Sequence, residues 1–313
     1  MKIFVTGATG VLGEALVPRL IAAGHTVGAL SRSQKNVQLL QSFGAQPVQA
    51  DLFDAASLKQ ALIGCNAILH LASRIPPTAR MAKRSAWHEN DRLRRDGTRS
   101  LVEAALAVNG VQTFIYPSYA FVYPDSGERW IDASTTPAQP TATLQSTLDA
   151  EAAVAQFTGE GRRGISLRMG SLYGPESPAT REQLDYARKG MAAFPGRRDA
   201  YLPQVTVQDA ASAIITALTQ PIPAGVYDVV DDEPLTRGEV FAAMAQAVGR
   251  KHLWQPPALL MRMMTGVVYK MMSRSLRISN RRFKEVSGWL PEVPDARLGW
   301  ARITEENRVA TSV

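Results

Sequence analysis

The residues best placed for chemistry in this sequence are three glycines near the amino terminus, in the run Thr6-Gly7-Ala8-Thr9-Gly10-Val11-Leu12-Gly13. An apolar segment precedes them, and a helical pattern follows over residues 11–23. In a strand–turn–helix unit, the first glycine allows the turn, the second lets the backbone approach a pyrophosphate, and the third lets helix and strand pack closely. Free N–H groups at the start of such a helix attract phosphate oxygens. The spacing therefore predicts a dinucleotide-binding turn.

A second reactive run combines hydroxyl groups with aromatic rings. It reads Pro117-Ser118-Tyr119-Ala120-Phe121-Val122-Tyr123 and directly follows an apolar segment, 113–117, which predicts a strand. Ligands of open α/β sheets bind at the carboxyl ends of the strands, so these side chains are expected to border the reactive end of the dinucleotide. Tyr119, Ser118 and Tyr123 are therefore the candidate catalytic residues. The alternative role for Tyr119 is an aromatic wall of the cofactor pocket.

The end of the second predicted strand bears on the choice of cofactor. Residues 25–30 predict this strand, and Ser31-Arg32-Ser33 follows it. Sites that prefer NAD usually carry an acidic residue here for the ribose hydroxyls, whereas serine followed by arginine suits a 2′-phosphate. NADP is therefore the predicted cofactor and NAD the less favoured one, with a solvated surface role left open for Arg32.

Helical and strand patterns alternate along the first half of the chain. Apolar runs at 46–50, 67–72, 113–117 and 164–169 predict strands, and helical patterns lie at 55–63, 85–109 and 144–157. This alternation predicts an α/β fold with a doubly wound parallel sheet of the Rossmann kind. His70 lies inside an apolar run and is predicted to be a packed sheet residue rather than a catalyst.

The regular pattern ends after Gly170–Pro175. We therefore expect a dinucleotide-binding domain at 1–175 and a smaller, mixed α/β substrate lobe at 176–313, with some exchange of chain between the two. Within the second part, residues 225–230 predict a strand. A helix is expected to begin at Thr236, with Glu239 three residues later completing a capping box.

The composition narrows the class of protein. The chain has 313 residues, of which 45% are apolar, enough for one large domain or two modest ones. A single cysteine, Cys65, excludes an internal disulfide and a multi-cysteine metal site, and we expect no metal.

Without a recognisable export signal or a membrane-spanning run, the predicted location is the cytoplasm. The net charge of +7 suits phosphate-bearing ligands, but no nucleic-acid-binding module is recognisable.

Several motifs, in this order along nearly the whole chain, resemble those of the extended short-chain dehydrogenases/reductases of the NAD(P)-dependent epimerase/dehydratase type. They are the run from Thr6 to Gly13, His70-Leu71-Ala72, Val122-Tyr123, Leu167-Arg168 with Tyr173-Gly174-Pro175, Val207-Gln208-Asp209-Ala210-Ala211, and Gly288-Trp289-Leu290-Pro291. The resemblance implies a Rossmann fold, a nicotinamide dinucleotide and a second lobe that binds the substrate.

The chain departs from this family at the catalytic pair. The resemblance implies a Tyr-x-x-x-Lys pair on the helix after the fifth-strand loop: the tyrosine exchanges a proton with the substrate oxygen, and the lysine holds the ribose and lowers the tyrosine pKa. Aligned on Glu151, this helix has Thr143 at the tyrosine position and Thr147 at the lysine position. Residues 132–156 contain neither tyrosine nor lysine. A threonine hydroxyl is a very poor acid, although it can still hydrogen-bond a ribose.

A replacement for this proton relay is expected nearby. In the same alignment Tyr119 stands at the family's active-site serine or threonine, which makes it the first candidate proton donor, before Tyr123 and Tyr173. The phenol pKa, about 10 in water, must then be lowered by another charge, such as the cofactor or the arginine-rich region before the fifth strand. In that region, Asn90 lies one turn earlier than the family's asparagine, and Arg94 falls near its place.

The basic stretch Arg250–Lys284 carries nine Lys or Arg and no Asp or Glu. Eight apolar residues recur there at four-residue spacing, namely Leu259, Leu260, Met263, Met264, Val267, Val268, Met271 and Met272. Such a stripe is most often core. Contact with an anionic membrane and a cover over an apolar substrate are the alternatives.

Together these observations predict an NADP-dependent oxidoreductase or epimerase-like enzyme that transfers hydride to or from a small carbonyl or hydroxyl substrate, anionic or apolar, through a non-standard proton relay. The alternative is a catalytically silent NADP-binding sensor or scaffold, and a homodimer stays open. The residues expected to bind the cofactor are Gly7, Thr9, Gly10, Val11, Leu12, Gly13, Ser31, Arg32, Asp51, Leu52, Leu71, Ala72, Ser73, Pro117, Thr147, Met169 and Ser171.

Overall fold

Thirteen strands and thirteen α-helices make up the described part of the chain in this computed structural model, which covers the backbone of residues 1–159 and 161–311 and the side chains of 1–159 and 161–304. The strands are β1 (Lys2–Thr6), β2 (Thr26–Leu30), β3 (Gln46–Val48), β4 (Ala67–His70), β5 (Thr113–Tyr119), β6 (Trp130–Ile131), β7 (Arg163–Met169), β8 (Ser171–Tyr173), β9 (Tyr201–Leu202), β10 (Gln204–Thr206), β11 (Gly225–Val229), β12 (Leu235–Thr236) and β13 (Arg277–Ile278). The helices are α1 (Val11–Ala22), α2 (Gln34–Ser42), α3 (Ala55–Ala61), α4 (His88–Arg92), α5 (Thr98–Leu106), α6 (Gln145–Gln156), α7 (Pro178–Arg188), α8 (Val207–Thr219), α9 (Arg237–Ala247), α10 (Ala258–Thr265), α11 (Tyr269–Met272), α12 (Arg281–Ser287) and α13 (Ala296–Thr311).

Seven parallel strands form the central sheet, in the order β3-β2-β1-β4-β5-β7-β11. Their residues are largely apolar and buried because helices cover both faces of the sheet. The expected α/β fold with a doubly wound sheet is confirmed. The chain reverses its direction of build-up between β1 and β4, where Thr6 lies beside His70. The crevice at this switch point is where such sheets bind their ligands.

The sheet draws on both parts of the sequence. Its last strand, β11, lies beyond residue 175 and pairs with β7, for example Tyr227 with Leu167. Helix α8 also lies beyond that residue and packs against α1. A second core, with Trp300 and Phe241 fully buried, joins residues within 87–144 to residues beyond 170 and is separate from the cores against the sheet.

Strand β5 runs two residues further than the sequence pattern indicates. We expected it to end at Pro117, because proline cannot donate a hydrogen bond to a ladder. The pairing of β5 with β4 stops at Ile115, however, whereas its pairing with β7 continues to Tyr119 opposite Met169. Pro117 therefore has a neighbour on only one side, as at a sheet edge, and is tolerated there.

The helix that precedes β5 contains an irregular turn. Residues Leu93–Gly97 form a π-helical turn between α4 and α5, so the helix is continuous from residue 88 to 106 but widened in the middle. The Thr98 hydroxyl donates a hydrogen bond to the Arg94 carbonyl oxygen. Such turns are rare and occur frequently at functional sites.

Three smaller strand pairs lie outside the central sheet: β8 with β10, β9 with β12, and β6 with β13. Two of these pairs, β8 with β10 and β6 with β13, join strands from before and after residue 175. The expected capping box at the start of α9 is confirmed, because Thr236 and Glu239 bond reciprocally. Among the described residues, no helix combines the length and the apolar character needed to cross a bilayer.

Candidate active site

The glycine turn after β1 is closed by two very tight contacts. Gly7 has φ of 73°, and a Cβ added to it would lie 2.6 Å from the backbone nitrogen of Ala72. A Cβ on Gly13 would lie 2.5 Å from the carbonyl group of Ala8. No side chain fits at either glycine, so the turn can press against the end of β4 and α1 can pack onto β1.

Gly10 differs from its two neighbours because it faces open space. A Cβ on Gly10 would meet only the Gly7 carbonyl oxygen, at 3.3 Å. Gly10 is the N-cap of α1, and no side chain caps this helix end. The first N–H groups of a helix have no partner within the helix. An uncapped, positive helix end beside an open cradle fits a pyrophosphate.

The residues expected at the adenosine end follow β2 and β3. Ser31 is buried and its hydroxyl donates to the Ser33 carbonyl oxygen over 3.2 Å, whereas Arg32 is exposed. Asp51 is exposed and accepts a hydrogen bond from the Phe53 N–H over 2.9 Å. Leu52 is buried against Gly97. At the carboxyl ends of β2 and β3, the Arg32 guanidinium is therefore exposed to solvent, and β3 is the outermost strand of the sheet.

The residues expected at the nicotinamide end collect along the carboxyl edge of the sheet. Leu71, Ala72 and Ser73 directly follow β4, and Ala72 touches the glycine turn. Pro117 lies near the end of β5, Met169 ends β7 and Ser171 begins β8. Thr9, Val11 and Leu12 lie in the glycine turn and first helical turn. Tyr119 is the partner of Met169 across the ladder, so the reactive run borders the same edge.

Tyr119 lies at this edge, and its hydroxyl, like that of Tyr116 on the same strand, bonds to no described residue. It is the last residue of β5, it is partly exposed, and its ring stacks on Phe121 with the ring centroids 4.7 Å apart. Burial raises the pKa of Tyr119 above its usual range, and the positive charge of Arg94 acts in the opposite direction. Tyr119 therefore holds its proton at neutral pH.

Ser118 and Tyr123 belong instead to a buried polar network. The Ser118 hydroxyl donates to Glu151, and Glu151 forms a bidentate ion pair with Arg168 at 2.9 and 2.7 Å. The Arg168 guanidinium lies over the Tyr123 ring, 4.8 Å from its centroid. The Tyr123 hydroxyl donates to Asp228 over 2.7 Å. Both hydroxyls thus bond to buried carboxylates of the protein, and Tyr173 is similarly buried with its hydroxyl 3.4 Å from Asp231.

Two further groups on this side of the sheet are held in their neutral forms. His70 is 1% exposed, its Nδ1 lies 2.6 Å from the Thr6 hydroxyl, and burial lowers its pKa to about 4. The prediction that His70 is a packed sheet residue is confirmed. Burial raises the pKa of Tyr116 to about 12, and its hydroxyl has no partner among the described residues.

Arg94 is a buried cation whose charge acts on the tyrosines of β5. It extends from the π-helical turn, is 8% exposed, and donates a hydrogen bond to the Thr147 hydroxyl of α6. No carboxylate among the described side chains lies within ion-pair distance of it, although buried guanidinium groups are usually paired. Its charge lowers the pKa values of His70, Tyr116 and Tyr119.

The two threonines of the aligned pair do not lie on the same helix. Thr147 is fully buried within α6, but α6 begins only at Gln145, so Thr143 precedes it. The Thr143 hydroxyl lies 2.8 Å from that of Thr141. The expected one-turn spacing of these positions on a helix is therefore absent, because residues 142–144 form a turn, closed by a hydrogen bond from the Leu144 N–H to the Thr141 carbonyl oxygen, before α6 begins.

The predicted set of catalytic residues did not include Arg94 and Asp228. A sequence signal for Arg94 exists, because Asn90 and Arg94 are four residues apart on one helix face and Arg94 fell near a family position. Nothing in the sequence indicates that Asp228, inside an apolar strand, bonds to Tyr123. Among the described residues, no group of His, Cys, Asp or Glu is arranged to hold a metal ion.

The parallel sheet, the open glycine cradle and the tyrosine at the carboxyl edge define an enzyme that binds a nicotinamide dinucleotide. A model of the NAD dependent epimerase/dehydratase family matches residues 3–230, and the chain belongs to this family. Membership confirms the expected resemblance, and with the reductases among its relatives it confirms an enzyme of the NAD(P)-dependent oxidoreductase or epimerase type.

Two curated relatives are reductases. The 3-diazoavenalumate denitrifying reductase of a Streptomyces species is 28% identical over 319 residues, covering 96% of this chain and 100% of the relative. The 2-alkyl-3-oxoalkanoate reductase of Shewanella oneidensis is 29% identical over 258 residues, covering 76% of this chain and 63% of the relative.

Solved structures show the same fold. The human epimerase family protein SDR39U1, solved with NADPH, has a TM-score of 0.83 at 22% identity, covering 97% of this chain and 99% of that one. The UDP-glucose 4-epimerase of Thermus thermophilus, solved with NAD, has a TM-score of 0.76 at 23% identity, covering 99% and 100%. The family model, which describes NAD dependent enzymes, supports a nicotinamide dinucleotide as the cofactor.

Proposed function

We propose that this chain is an NADPH-dependent reductase of a carbonyl compound. The observation that carries the proposal is the pair formed by Tyr119, a protonated phenol with a free hydroxyl, and Arg94, a buried cation without an acidic partner. Both border the carboxyl edge of the sheet, where the glycine turn would hold the pyrophosphate. When bound, the nicotinamide supplies the hydride, and the protein supplies orientation and a proton.

The preference for NADPH rests on Arg32. Its guanidinium is exposed at the end of β2, and no acidic residue stands there to bind the ribose hydroxyls of NAD. A free arginine at this position suits the 2′-phosphate, and Ser31 offers a hydroxyl beside it. The pyrophosphate would be held by the first N–H groups of α1, with Gly10 leaving room for its approach.

Tyr119 carries the proton that a reduced carbonyl oxygen needs. The phenol is protonated at neutral pH, since burial raises its pKa, and the positive charge of Arg94 favours the loss of that proton to the substrate oxygen. A carbonyl oxygen that receives a hydride becomes strongly basic and accepts a proton from such a phenol.

Arg94 takes the place of the missing lysine charge in this proposal. Thr147, at the aligned lysine position, cannot supply a charge, but it accepts a hydrogen bond from Arg94 and so fixes the guanidinium there. From this place Arg94 would bind the nicotinamide ribose through its remaining N–H groups. Its charge also stabilises the phenolate that Tyr119 becomes when its proton leaves.

The substrate class is a ketone that carries an apolar chain. The substrates named for two relatives support this class. One is the 2-alkyl-3-oxoalkanoate reductase. The other is the 4-hydroxy-2-methyl-3-oxo-4-farnesyl-3,4-dihydroquinoline-1-oxide ketoreductase of Stigmatella aurantiaca, which is 32% identical over 187 residues, covering 54% of that relative. We further propose a cytoplasmic location, since the single cysteine, Cys65, is a buried free thiol.

The experiment is NADPH oxidation with a panel of 3-oxoacids and ketones of increasing chain length, using wild type and Tyr119→Phe. We expect wild type to reduce at least one of these ketones. We expect Tyr119→Phe to have a kcat about 100-fold lower and unchanged NADPH binding. Binding of NADPH without turnover of any ketone would instead favour the silent sensor.

A further inference from the structure

Helix α10 displays apolar side chains to solvent on a scale that stands out in this protein. Leu259 and Met263 are each 73% exposed and Met264 is 60% exposed, and Leu260 and Val267 extend the same surface. The helix has only eight residues. The sequence pattern favoured a core position for this stripe, and that interpretation is wrong for the part before Gly266. We call these five side chains the α10 patch.

The patch is exposed although the helix itself is firmly attached. Met261 on the opposite side is 3% exposed, and Val268 and Met271 just beyond the helix are also buried. Gly266 ends α10 with φ of 51°, and a Cβ there would lie 2.6 Å from the Ala82 carbonyl oxygen. The Val267 N–H donates to that same oxygen over 3.3 Å. The fold therefore fixes α10 and leaves its apolar face outward.

The stretch of sequence that carries the patch has charges of one sign only. Arg250–Lys284 contains nine basic and no acidic residues. Lys251, Arg262 and Lys270 are exposed, and none of them forms an ion pair with a described side chain. A firmly attached helix with an exposed apolar face, and with exposed cations on the same stretch of chain, fits a surface that has an apolar interior under a layer of anionic groups.

We propose that the α10 patch docks this enzyme on the surface of an anionic lipid bilayer. The five apolar side chains enter the boundary between headgroups and acyl chains, and Lys251, Arg262 and Lys270 contact the lipid phosphates and carboxylates. A second copy of the chain is a poorer occupant, because a two-fold contact through this patch would place like charges against each other.

The test is cosedimentation of the full chain with vesicles of phosphatidylcholine alone or mixed with phosphatidylserine. We expect wild type to bind the mixed vesicles at least about tenfold more strongly than the neutral ones, and more weakly as salt is added. The variant L259E/M263E should lose about tenfold or more of this binding, and so should R262E/K270E. The matched control I63E/L290E changes two apolar residues elsewhere on the surface, 58% and 68% exposed, and it should bind like wild type.

The affinity of each variant for NADPH, measured by fluorescence, serves as the test that the variant is folded. This measurement requires neither lipid nor substrate. Equal binding to neutral and mixed vesicles, or equal losses in the control, would overturn the proposal. So would a dimer of wild type in light scattering that L259E/M263E dissociates, since a second copy would then cover the patch.

Discussion

Moving the buried cation from Arg94 to position 147 is the sharpest test of the proposed site. If Arg94 holds the nicotinamide ribose, Arg94→Met removes charge-assisted hydrogen bonds worth about 2 kcal/mol, which corresponds to about 30-fold weaker NADPH binding. Adenosine 2′,5′-bisphosphate, which lacks the nicotinamide riboside, should bind this variant as it binds wild type. Fluorescence and calorimetric titrations measure the two affinities.

The stability of the same variants separates a binding role from a structural one. Arg94 is buried without a carboxylate partner, so replacing it with Met should leave the melting temperature of the free protein unchanged or higher. Thr147→Lys alone places a second cation against Arg94, a repulsion of about 4 kcal/mol at an effective dielectric constant of 20. That variant should melt roughly 10 °C lower.

The double variant Arg94→Met/Thr147→Lys should then recover both properties, with NADPH affinity within about threefold of wild type, because one cation again occupies the same place. Arg95→Met is the matched control, since Arg95 lies on the same turn but is exposed and paired with Asp96. The proposed role of Arg94 is wrong if Arg94→Met binds NADPH as tightly as wild type does. It is also wrong if the substitution weakens the binding of adenosine 2′,5′-bisphosphate as much as it weakens the binding of NADPH.

Three further predictions concern single residues. Arg32→Ala should weaken NADPH by about tenfold through loss of a charged contact to the 2′-phosphate and leave NADH unchanged; equal losses for both cofactors would contradict the assignment. Tyr119→Phe should lower kcat for ketone reduction far more than KM, and a change confined to KM would make Tyr119 a pocket wall. Asp228 has its pKa raised by burial from 3.8 to about 7, so the folded protein keeps a proton that the unfolded chain releases. The contribution of Asp228 to stability should therefore be largest below about pH 4 and be lost as the pH rises to 7, so wild type should lose melting temperature relative to Asp228→Asn across that range.

The sheet could be predicted closely because its strands carry a continuous apolar signal. The glycine turn could also be predicted. The packing around Gly7 and Gly13 leaves no room for a Cβ, so these positions require glycine and the glycine spacing is visible in the sequence. The end of β5 was missed because proline usually ends a central strand, and only the neighbouring strands determine that Pro117 is in effect at an edge. Local sequence carries no information of that kind.

The polar parts of the site were less predictable. Tyr123 looked as reactive as Tyr119, and only the structure shows its hydroxyl directed to Asp228, a residue 105 positions away in the chain. Arg94 was one of several arginines, and its burial depends on the π-helical turn, which leaves no trace in the hydrophobic pattern. The stripe near α10 was predicted as core more readily than as surface, because periodicity reports a shared face but not what covers it.

The π-helical turn has a consequence for how such a site can arise. A π turn is equivalent to one extra residue within a regular helix, and one residue corresponds to about 100° of rotation. Deleting one residue from Leu93–Gly97 would restore a regular α-helix with the flanking turns in place, and it would change which residues of the turn face α6. The cation of this site can thus be gained or lost through a single codon insertion or deletion, independently of any change in the helix that usually carries it.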